Sequence, residues 1–268
     1  MTSQHREEPF SGNHGSIQTS NVKCLTAIAN ELIGTNEHAT TMGIVTGAPG
    51  TGKSTAARIY QALCEQEHAA LLPQSIMITV MPHTTIKALL CSIVEQSGHS
   101  TSLRNTYDIF EEAVTALDQR NEHLLMIDEA DRLTQESLHV LASLFNQTAC
   151  PILLIGQPKL LVTIQANPRL ASRIGSPMVF PSLSQQEVLD VVLPQLVIPS
   201  WSFDPQKEAD CHLGKEIWQN VCPSLRRLTH LLALSSQLAQ MSSQPIITQT
   251  ILREAWKLMA LEDWQDLN

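Results

Sequence analysis

The chain has 268 residues, of which 43% are hydrophobic and 16% charged, and this is the balance of a folded globular protein rather than a disordered one. Its 17 Lys and Arg residues against 26 Asp and Glu residues give a net charge of −9, which argues against a polybasic nucleic-acid binder but leaves room for a local basic patch. The length allows one large domain, or a domain with a smaller module.

Targeting and redox features predict a cytoplasmic protein. No apolar run approaches the ~18 residues that a membrane-spanning helix needs, and the polar N-terminus has no secretory core segment. The six cysteines are scattered without a C-x-x-C pair, so we expect reduced thiols. Cys211, His212 and Cys222 fit no tetrahedral zinc spacing.

Along the chain, short apolar runs alternate with amphipathic stretches after a polar segment over residues 1–18, for which we predict a mobile tail. The apolar runs predict five strands, at 42–46, 75–81, 123–127, 151–156 and 178–180. The amphipathic stretches predict helices at 20–33, 56–67, 84–96, 106–120 and 134–147.

This alternation of nearly all-apolar strands with helices indicates an α/β fold, a parallel sheet covered by helices on both faces. After Pro181 the strand patterns stop and only helical patterns follow. We therefore expect three segments: the N-terminal tail at 1–18, an α/β domain with a leading helix at 19–181, and a C-terminal helical lid module at 182–268.

The segment GAPGTGKS matches the phosphate-loop pattern G-x-x-x-x-G-K-[ST] in full, between a predicted strand and a predicted helix. Glycines let backbone N–H groups surround phosphate oxygens, and the positive end of the following helix faces them. The lysine can reach the β- and γ-phosphates, and the serine hydroxyl can ligate Mg²⁺. The predicted nucleotide-binding residues are Gly47, Ala48, Pro49, Gly50, Thr51, Gly52, Lys53, Ser54 and Thr55.

Two acidic residues, Asp128 and Glu129, follow the third apolar run, at the strand end where parallel sheets bind ligands. Asp128 is predicted to hold Mg²⁺ with Ser54, and Glu129 to act as the general base that polarises the attacking water. An acidic helix cap is the alternative interpretation, above all for Asp131. The letters D-E-A-D also suggest an RNA helicase, but the chain is too short for the second domain that such helicases need.

A phosphate loop, an Asp-Glu pair after the third strand and a helical end together resemble the AAA+ ATPases. The ordered stretches ITVMPHTT, LLMIDEADRL, LHVLASLFNQT, PILLIGQP and SLRRLTHLLALSSQLA are similar to those of transposition ATPases, the group of the phage MuB protein and the transposon regulators TnsC and TniB. Secretion-associated ATPases of the ExeA type share many of these patterns.

The resemblance implies three further roles. Gln157 takes the place of the polar sensor of the γ-phosphate, where many members carry Asn or Thr, and a turn residue before Pro158 is the alternative. In rings of this family, an arginine of one subunit reaches the γ-phosphate bound by its neighbour. For this role we favour Arg173 over Arg169. Arg226 corresponds to a second nucleotide sensor on the lid, with Arg227 as the adjacent candidate.

The resemblance also implies assembly on duplex DNA as a helical or ring-shaped homo-oligomer, through phosphate contacts that do not read sequence. The matching positions are Thr84, Thr85, Lys87, Arg104 and Thr106, for which solvated surface residues are the competing interpretation. An oligomer that repeats one small basic patch along the duplex does not need a high net charge.

The sequence thus predicts an Mg²⁺-dependent AAA+ ATPase that binds ATP and double-stranded DNA, oligomerises, and selects a target site for a transposase together with a targeting protein. The alternatives are an ExeA-type secretion ATPase, a helicase loader and a P-loop phosphotransferase. The helical end and the pair of Asp128 with Glu129 argue against the phosphotransferase.

Overall fold

The computed structural model describes residues 17–34, 42–67, 75–102, 104–118, 124–148, 150–196, 198, 201–221, 224–242 and 246–265. These residues form two compact units. One unit comprises Ser20–Pro49 and Lys53–Pro181. The other contains, of the described residues, 17–19, Gly50–Gly52 and those from Ser182 onward.

The first unit is built on a five-stranded sheet in which every pair of neighbouring strands is parallel. The strands are β1 (Gly43–Gly47), β2 (Ser75–Thr79), β3 (Leu124–Asp128), β4 (Ile152–Gly156) and β5 (Met178–Phe180), and their order across the sheet is β2-β3-β4-β1-β5. All residues of β1, β3 and β4 are buried, as strands covered on both faces must be.

Helices cover both faces of this sheet. The helices of the unit are α1 (Ser20–Gly34), α2 (Lys53–Glu67), α3 (Ile86–Gln96), α4 (Thr106–Asp118), α5 (Gln135–Thr148), α6 (Lys159–Gln165) and α7 (Pro168–Ala171), with a 3-10 turn at Ala130–Arg132. Alternate residues of β3 enter different cores, because successive side chains of a strand point to opposite faces. Leu124 and Met126 pack with α1 and α2, whereas Leu125 and Ile127 pack with α3, α4 and α5.

The second unit has regular structure made only of helices among its described residues. A helical segment runs through α8 (Gln185–Glu187), a π-helical stretch (Val188–Val192) and α9 (Leu193–Gln195), followed by α10 (Glu208–Val221), α11 (Leu225–Met241) and α12 (Gln249–Gln265). The unit has its own apolar core, in which Leu228, Leu231 and Leu232 of α11 meet Ile251 and Leu252 of α12.

The structure confirms the predicted parallel sheet with flanking helices and a helical C-terminal region. The predicted strand at 75–81 is too long, because Thr84 closes a turn on Met81 and β2 therefore ends at Thr79. The helix predicted from residue 84 begins at Ile86, since Thr85 has an extended backbone and caps the helix. The predicted tail lies outside the described residues except for its last two positions.

Two absences among the described residues concern membrane-spanning helices and disulfide bonds. None of the helices in the described part of the chain is long and apolar enough to cross a membrane. No disulfide joins the cysteines among the described residues, and Cys222 lies outside them.

Candidate active site

Three of the predicted site elements meet at one edge of the sheet. The glycine-rich loop follows β1, Gln157 follows β4, and Asp128 ends β3. These strands are consecutive in the sheet, in the order β3-β4-β1, and parallel, so their carboxyl ends lie side by side. At about 4.8 Å per strand, the ends of β3 and β1 are about 10 Å apart, with the end of β4 between them.

The loop after β1 has positive φ angles at two of its glycines. Gly50 and Gly52 have φ angles of 81° and 88°, a region that a side chain disfavours. Helix α2 begins at Lys53 immediately after the loop, so the N–H groups of its first turn, which have no carbonyl partner within the helix, point toward the loop. Gly47 and Thr51 are buried, whereas Ala48 and Pro49 are exposed.

The Lys53 side chain contacts the first two residues of this loop. Its ammonium donates to the Gly47 and Ala48 carbonyl oxygens at 2.8 and 2.9 Å, and the residue is buried. The two hydroxyl residues that follow, Ser54 and Thr55, are half-buried in the first turn of α2. A lysine and hydroxyl groups beside converging backbone N–H groups suit a polyphosphate with a divalent cation.

The acidic pair at the end of β3 divides into a buried and a partly exposed residue. Asp128 is buried, and its Oδ1 accepts a hydrogen bond from the Glu129 N–H at 3.0 Å. Glu129 has a left-handed backbone, with φ 56° and ψ 33°, which is uncommon for a residue with a side chain. Such strained positions concentrate at functional sites, so this conformation supports Glu129, and not a neighbouring residue, as the candidate general base.

Arg132 holds the Glu129 side chain, a contact that sequence reasoning missed. Its guanidinium lies 3.5 Å from Glu129 Oε2 and donates to the Val80 carbonyl oxygen at 3.1 Å. The Val80 N–H in turn donates to the Asp128 carbonyl oxygen at 2.9 Å. The spacing of three residues between Glu129 and Arg132 was the only signal in the sequence.

Gln157 is held through its backbone by Asp131. The Asp131 Oδ1 accepts from the Gln157 N–H at 3.0 Å, and its Oδ2 lies 3.0 Å from the Lys159 ammonium. Burial raises the pKa of the Asp131 carboxyl, but these two partners outweigh it and leave that pKa below its ordinary value. Asp131 does not cap the 3-10 turn in which it lies, because the N-cap of that turn is Glu129 and the Asp131 carboxylate contacts Gln157 and Lys159 after β4.

The two candidate arginines lie close together ahead of β5. Arg169 is on α7 and exposed, and Arg173 follows that helix and is half-buried. The Arg173 guanidinium donates to the Arg169 carbonyl oxygen at 2.6 Å and to Asn146 Oδ1 of α5 at 3.4 Å. Its backbone carbonyl accepts from the Met42 N–H at 2.6 Å, which ties this segment to the start of β1.

The lid candidates lie at the start of α11 in the second unit. Arg226 and Arg227 are both exposed, while Leu228 turns into the core of that unit. Ser224 caps the helix by accepting a hydrogen bond from the Arg227 N–H at 3.3 Å.

The predicted DNA contacts come from two neighbouring helix starts. The Lys87 ammonium donates to the Arg104 carbonyl oxygen at 2.9 Å, so the start of α3 adjoins the segment before α4. Lys87, Arg104 and Thr106 are exposed. The Thr84 and Thr85 hydroxyls already serve the local backbone, in the Met81 turn and as the N-cap of α3 respectively.

Comparisons with known proteins agree with this architecture. Residues 36–163 match the family model described as an AAA domain. None of the curated proteins matches the sequence. The fold is similar to that of the Aeropyrum pernix ORC1 protein in complex with DNA, with a TM-score of 0.71 and 17% identity over 96% of this chain and 69% of that chain.

Two more solved structures have the same fold. Cdc6p from Pyrobaculum aerophilum gives a TM-score of 0.69 at 15% identity, over 92% of this chain and 69% of that chain. The Thermotoga maritima RuvB Holliday junction branch migration motor gives 0.56 at 17% identity, over 90% and 70%. Residues 36–163 therefore resemble an AAA domain, and the chain has the phosphate-loop AAA+ fold, while the narrower resemblance to transposition regulators remains a prediction.

Proposed function

We propose that the chain is an ATP-dependent, DNA-binding ATPase that assembles on duplex DNA and licenses a target site for a transposase, with ATP hydrolysis driving disassembly. One observation carries the proposal. The phosphate loop, the Asp128–Glu129 pair and Gln157 meet at the carboxyl ends of three neighbouring parallel strands.

ATP binding is assigned to the loop and the start of α2. Backbone N–H groups of the loop would donate to the phosphate oxygens, and the Lys53 ammonium would exchange its carbonyl contacts for them. Ser54 and Asp128 would hold Mg²⁺, which when bound neutralises charge developing on the phosphates. Because Mg²⁺ retains several waters, these two protein ligands suffice.

Hydrolysis is assigned to Glu129, with Gln157 and an arginine in support. The Glu129 carboxylate would orient the attacking water and accept its proton. The Gln157 amide would hydrogen-bond the γ-phosphate or that water. Arg173, or else Arg169, would reach the neighbouring subunit's γ-phosphate, and Arg226 of the lid would sense the nucleotide of its own subunit.

DNA binding is assigned to the start of α3 and the segment before α4. Lys87 and Arg104 supply exposed positive charge side by side, and Thr84, Thr85 and Thr106 add hydroxyl groups. Contacts of this kind go to phosphates and carry no sequence information. The likeness of the fold to that of the Aeropyrum pernix ORC1 protein, solved in complex with DNA, supports a DNA-bound role.

The transposition role rests on the order of the motifs. The loop, LLMIDEADRL, PILLIGQP and SLRRLTHLLALSSQLA follow one another as in transposition regulators. ATP would create the interface between subunits, and hydrolysis would dissolve it, so that the assembly acts as a timed switch. The partners of such a switch would be a transposase and a targeting protein.

Electron microscopy of the purified protein with duplex DNA tests the proposal, in ATP with Mg²⁺ and in ADP, with Lys53→Ala as the control. Filaments or rings on DNA that require both ATP and Lys53 are the expected result. ATP binding without any DNA-bound assembly would contradict the DNA role and favour a secretion-type ATPase. A monomeric enzyme that transfers phosphate to a small acceptor would favour a phosphotransferase.

A further inference from the structure

Asp131 places an enclosed carboxylate beside the candidate active site. Its side chain is 1% exposed, and each of its two oxygens has a partner on the segment after β4. We infer that Asp131 is a positioning residue for ATP hydrolysis, which fixes the Gln157 backbone relative to Glu129. The inference rests on the proposed ATPase function, and it assigns to this residue a role in that site.

Asp131 connects the ends of two neighbouring strands. It belongs to the 3-10 turn that begins one residue after Glu129, and it accepts the N–H of the first residue after β4. Glu129 is thus held on one side by β3, through Asp128, and on the other by a turn anchored to β4. The general base and the predicted sensor therefore share one hydrogen-bonded frame instead of sitting on two independent loops.

Gly156 is the residue that allows this connection. A Cβ atom there would lie 2.8 Å from Asp131 Oδ1 and 3.1 Å from the Asp131 backbone nitrogen. The 3-10 turn packs against the end of β4 closely enough that no side chain fits between them. A contact this close transmits small displacements, because packed groups have no gap to absorb them.

Lys159 neutralises the buried carboxylate from the first turn of α6. Its side chain is 61% exposed, so the ion pair alone contributes little to stability. Its value lies in compensating an enclosed charge whose other partners are backbone N–H groups. Replacing Lys159 should therefore disturb the site less than replacing Asp131.

A direct chemical role for Asp131 does not fit the geometry. Both oxygens are engaged and the side chain is almost fully enclosed, so an attacking water has no access to them. Its lowered pKa keeps the carboxyl ionised and unable to act as a proton donor near neutral pH. Positioning is the function that remains, and misplacing a catalytic group by about 1 Å can lower a rate on the order of 100-fold.

A double-mutant cycle tests the inference. The rate of ATP hydrolysis and the Kd for ATP are measured for the wild type, Asp131→Ala, Gln157→Ala and the double variant, with and without duplex DNA. We expect Asp131→Ala to lower kcat on the order of 10- to 100-fold while the Kd changes little. The double variant should be no slower than the slower single variant, because both changes remove the same function.

Two further variants separate positioning from folding. Asp131→Asn keeps an oxygen that accepts the Gln157 N–H, and it should recover most of the lost rate. If Asp131→Ala gives no folded protein, Asp131→Glu replaces it in the cycle, since the longer side chain keeps the charge but displaces the Gln157 backbone. Glu136→Ala, at an exposed position of α5, is the matched control for loss of a carboxylate.

The outcomes distinguish the inference from the function on which it rests. If the wild type hydrolyses ATP and the effects of the Asp131 and Gln157 substitutions on kcat multiply, the inference is overturned. The proposed ATPase function is not affected by that result. The same holds for an unchanged kcat in the folded Asp131→Ala or Asp131→Glu variant. A wild type that hydrolyses no ATP in any of these conditions overturns the proposed function and the inference together.

Discussion

At the scale of the residue, Glu129 combines a left-handed backbone with a side chain that is 28% exposed and paired to Arg132. Each property has a cost or a consequence: the backbone is strained by about 1–3 kcal/mol, and the ion pair fixes the carboxylate in one orientation. Left-handed residues that carry a side chain are uncommon and cluster at functional sites. Glu129 is therefore the position where a single atom replacement should reveal function most directly.

Glu129→Gln is expected to keep ATP binding while lowering the hydrolysis rate by about 10²- to 10⁴-fold, since the amide cannot accept the proton of the attacking water. The measurements are phosphate release and the Kd of a fluorescent ATP analogue. Glu136→Gln, an exposed residue on α5, is the control. An equal loss of ATP affinity and of rate would place Glu129 in binding instead of catalysis.

Asp131 makes a pH-dependent contribution to stability whose sign follows from its lowered pKa. The folded state binds the proton less readily than the unfolded state, so the stabilisation is present above the unfolded pKa of about 3.9 and is lost as the pH falls through the folded pKa. The free energy of unfolding of the wild type should exceed that of Asp131→Asn most above about pH 5.

Urea unfolding of both proteins between about pH 3.5 and 7 measures this difference, which should shrink toward the acid end. Glu136→Gln provides the baseline for loss of an exposed carboxylate. A difference that grew as the pH fell would mean that the folded state favours the protonated carboxyl, contrary to the contacts of Asp131 with Gln157 and Lys159.

At the scale of the element, helices α3 and α4 present their starts together because the Lys87 ammonium reaches the Arg104 carbonyl oxygen. The starts of two helices add partial positive charge to that of the two side chains. The same surface also carries the exposed side chains of Met81 and Tyr107 on its two chain segments. A local patch of this kind is compatible with an acidic chain, since it is the local field that attracts phosphates.

Lys87→Ala and Arg104→Ala should each weaken binding to duplex DNA of any sequence and lower the salt dependence of binding by about one unit of slope. The Kd is measured by fluorescence anisotropy across a range of salt concentrations in ATP. Lys257→Ala, an exposed residue of α12, is the control. An unchanged slope in both variants would remove the patch from the DNA interface.

At the scale of the whole molecule, we propose that the arginine after α7, Arg173, acts on the nucleotide site of a neighbouring subunit. Arg173 is held by Asn146 and by the Arg169 carbonyl oxygen at the surface of the α/β unit. A guanidinium supplied by one subunit to another couples hydrolysis to assembly, because the site is incomplete until the neighbour arrives.

Arg173→Ala is expected to bind ATP and to hydrolyse it about 10³-fold more slowly or worse. Mixing this variant with Glu129→Gln should restore phosphate release, since one variant supplies the general base and the other the arginine. The control is a mixture of Arg173→Ala with the double variant that carries both Glu129→Gln and Arg173→Ala, because no subunit then supplies the arginine. Restoration in that control, or none in the first mixture, would contradict a role of Arg173 between subunits.

The sequence by itself determined those features whose chemistry is local along the chain. Eight consecutive residues define the phosphate loop, because Gly50 and Gly52 need their positive φ angles wherever the rest of the chain lies. The apolar runs located the five strands of the described sheet, most clearly β1, β3 and β4, which are buried at every position. Strand and helix ends were less well located, as the Met81 turn and the Thr85 cap illustrate.

Only the tertiary structure decided which distant residues meet. Asp131 reaches Gln157 across 26 positions, and Arg132 reaches Val80 across 52. These contacts depend on β3 lying between β2 and β4 and on the register of the three strands. One buried apolar strand resembles another in its residue pattern, so the sequence does not specify strand order or register. Both follow from the packing of the complete sheet with its helices, and they determine the partners of Asp131 and Arg132.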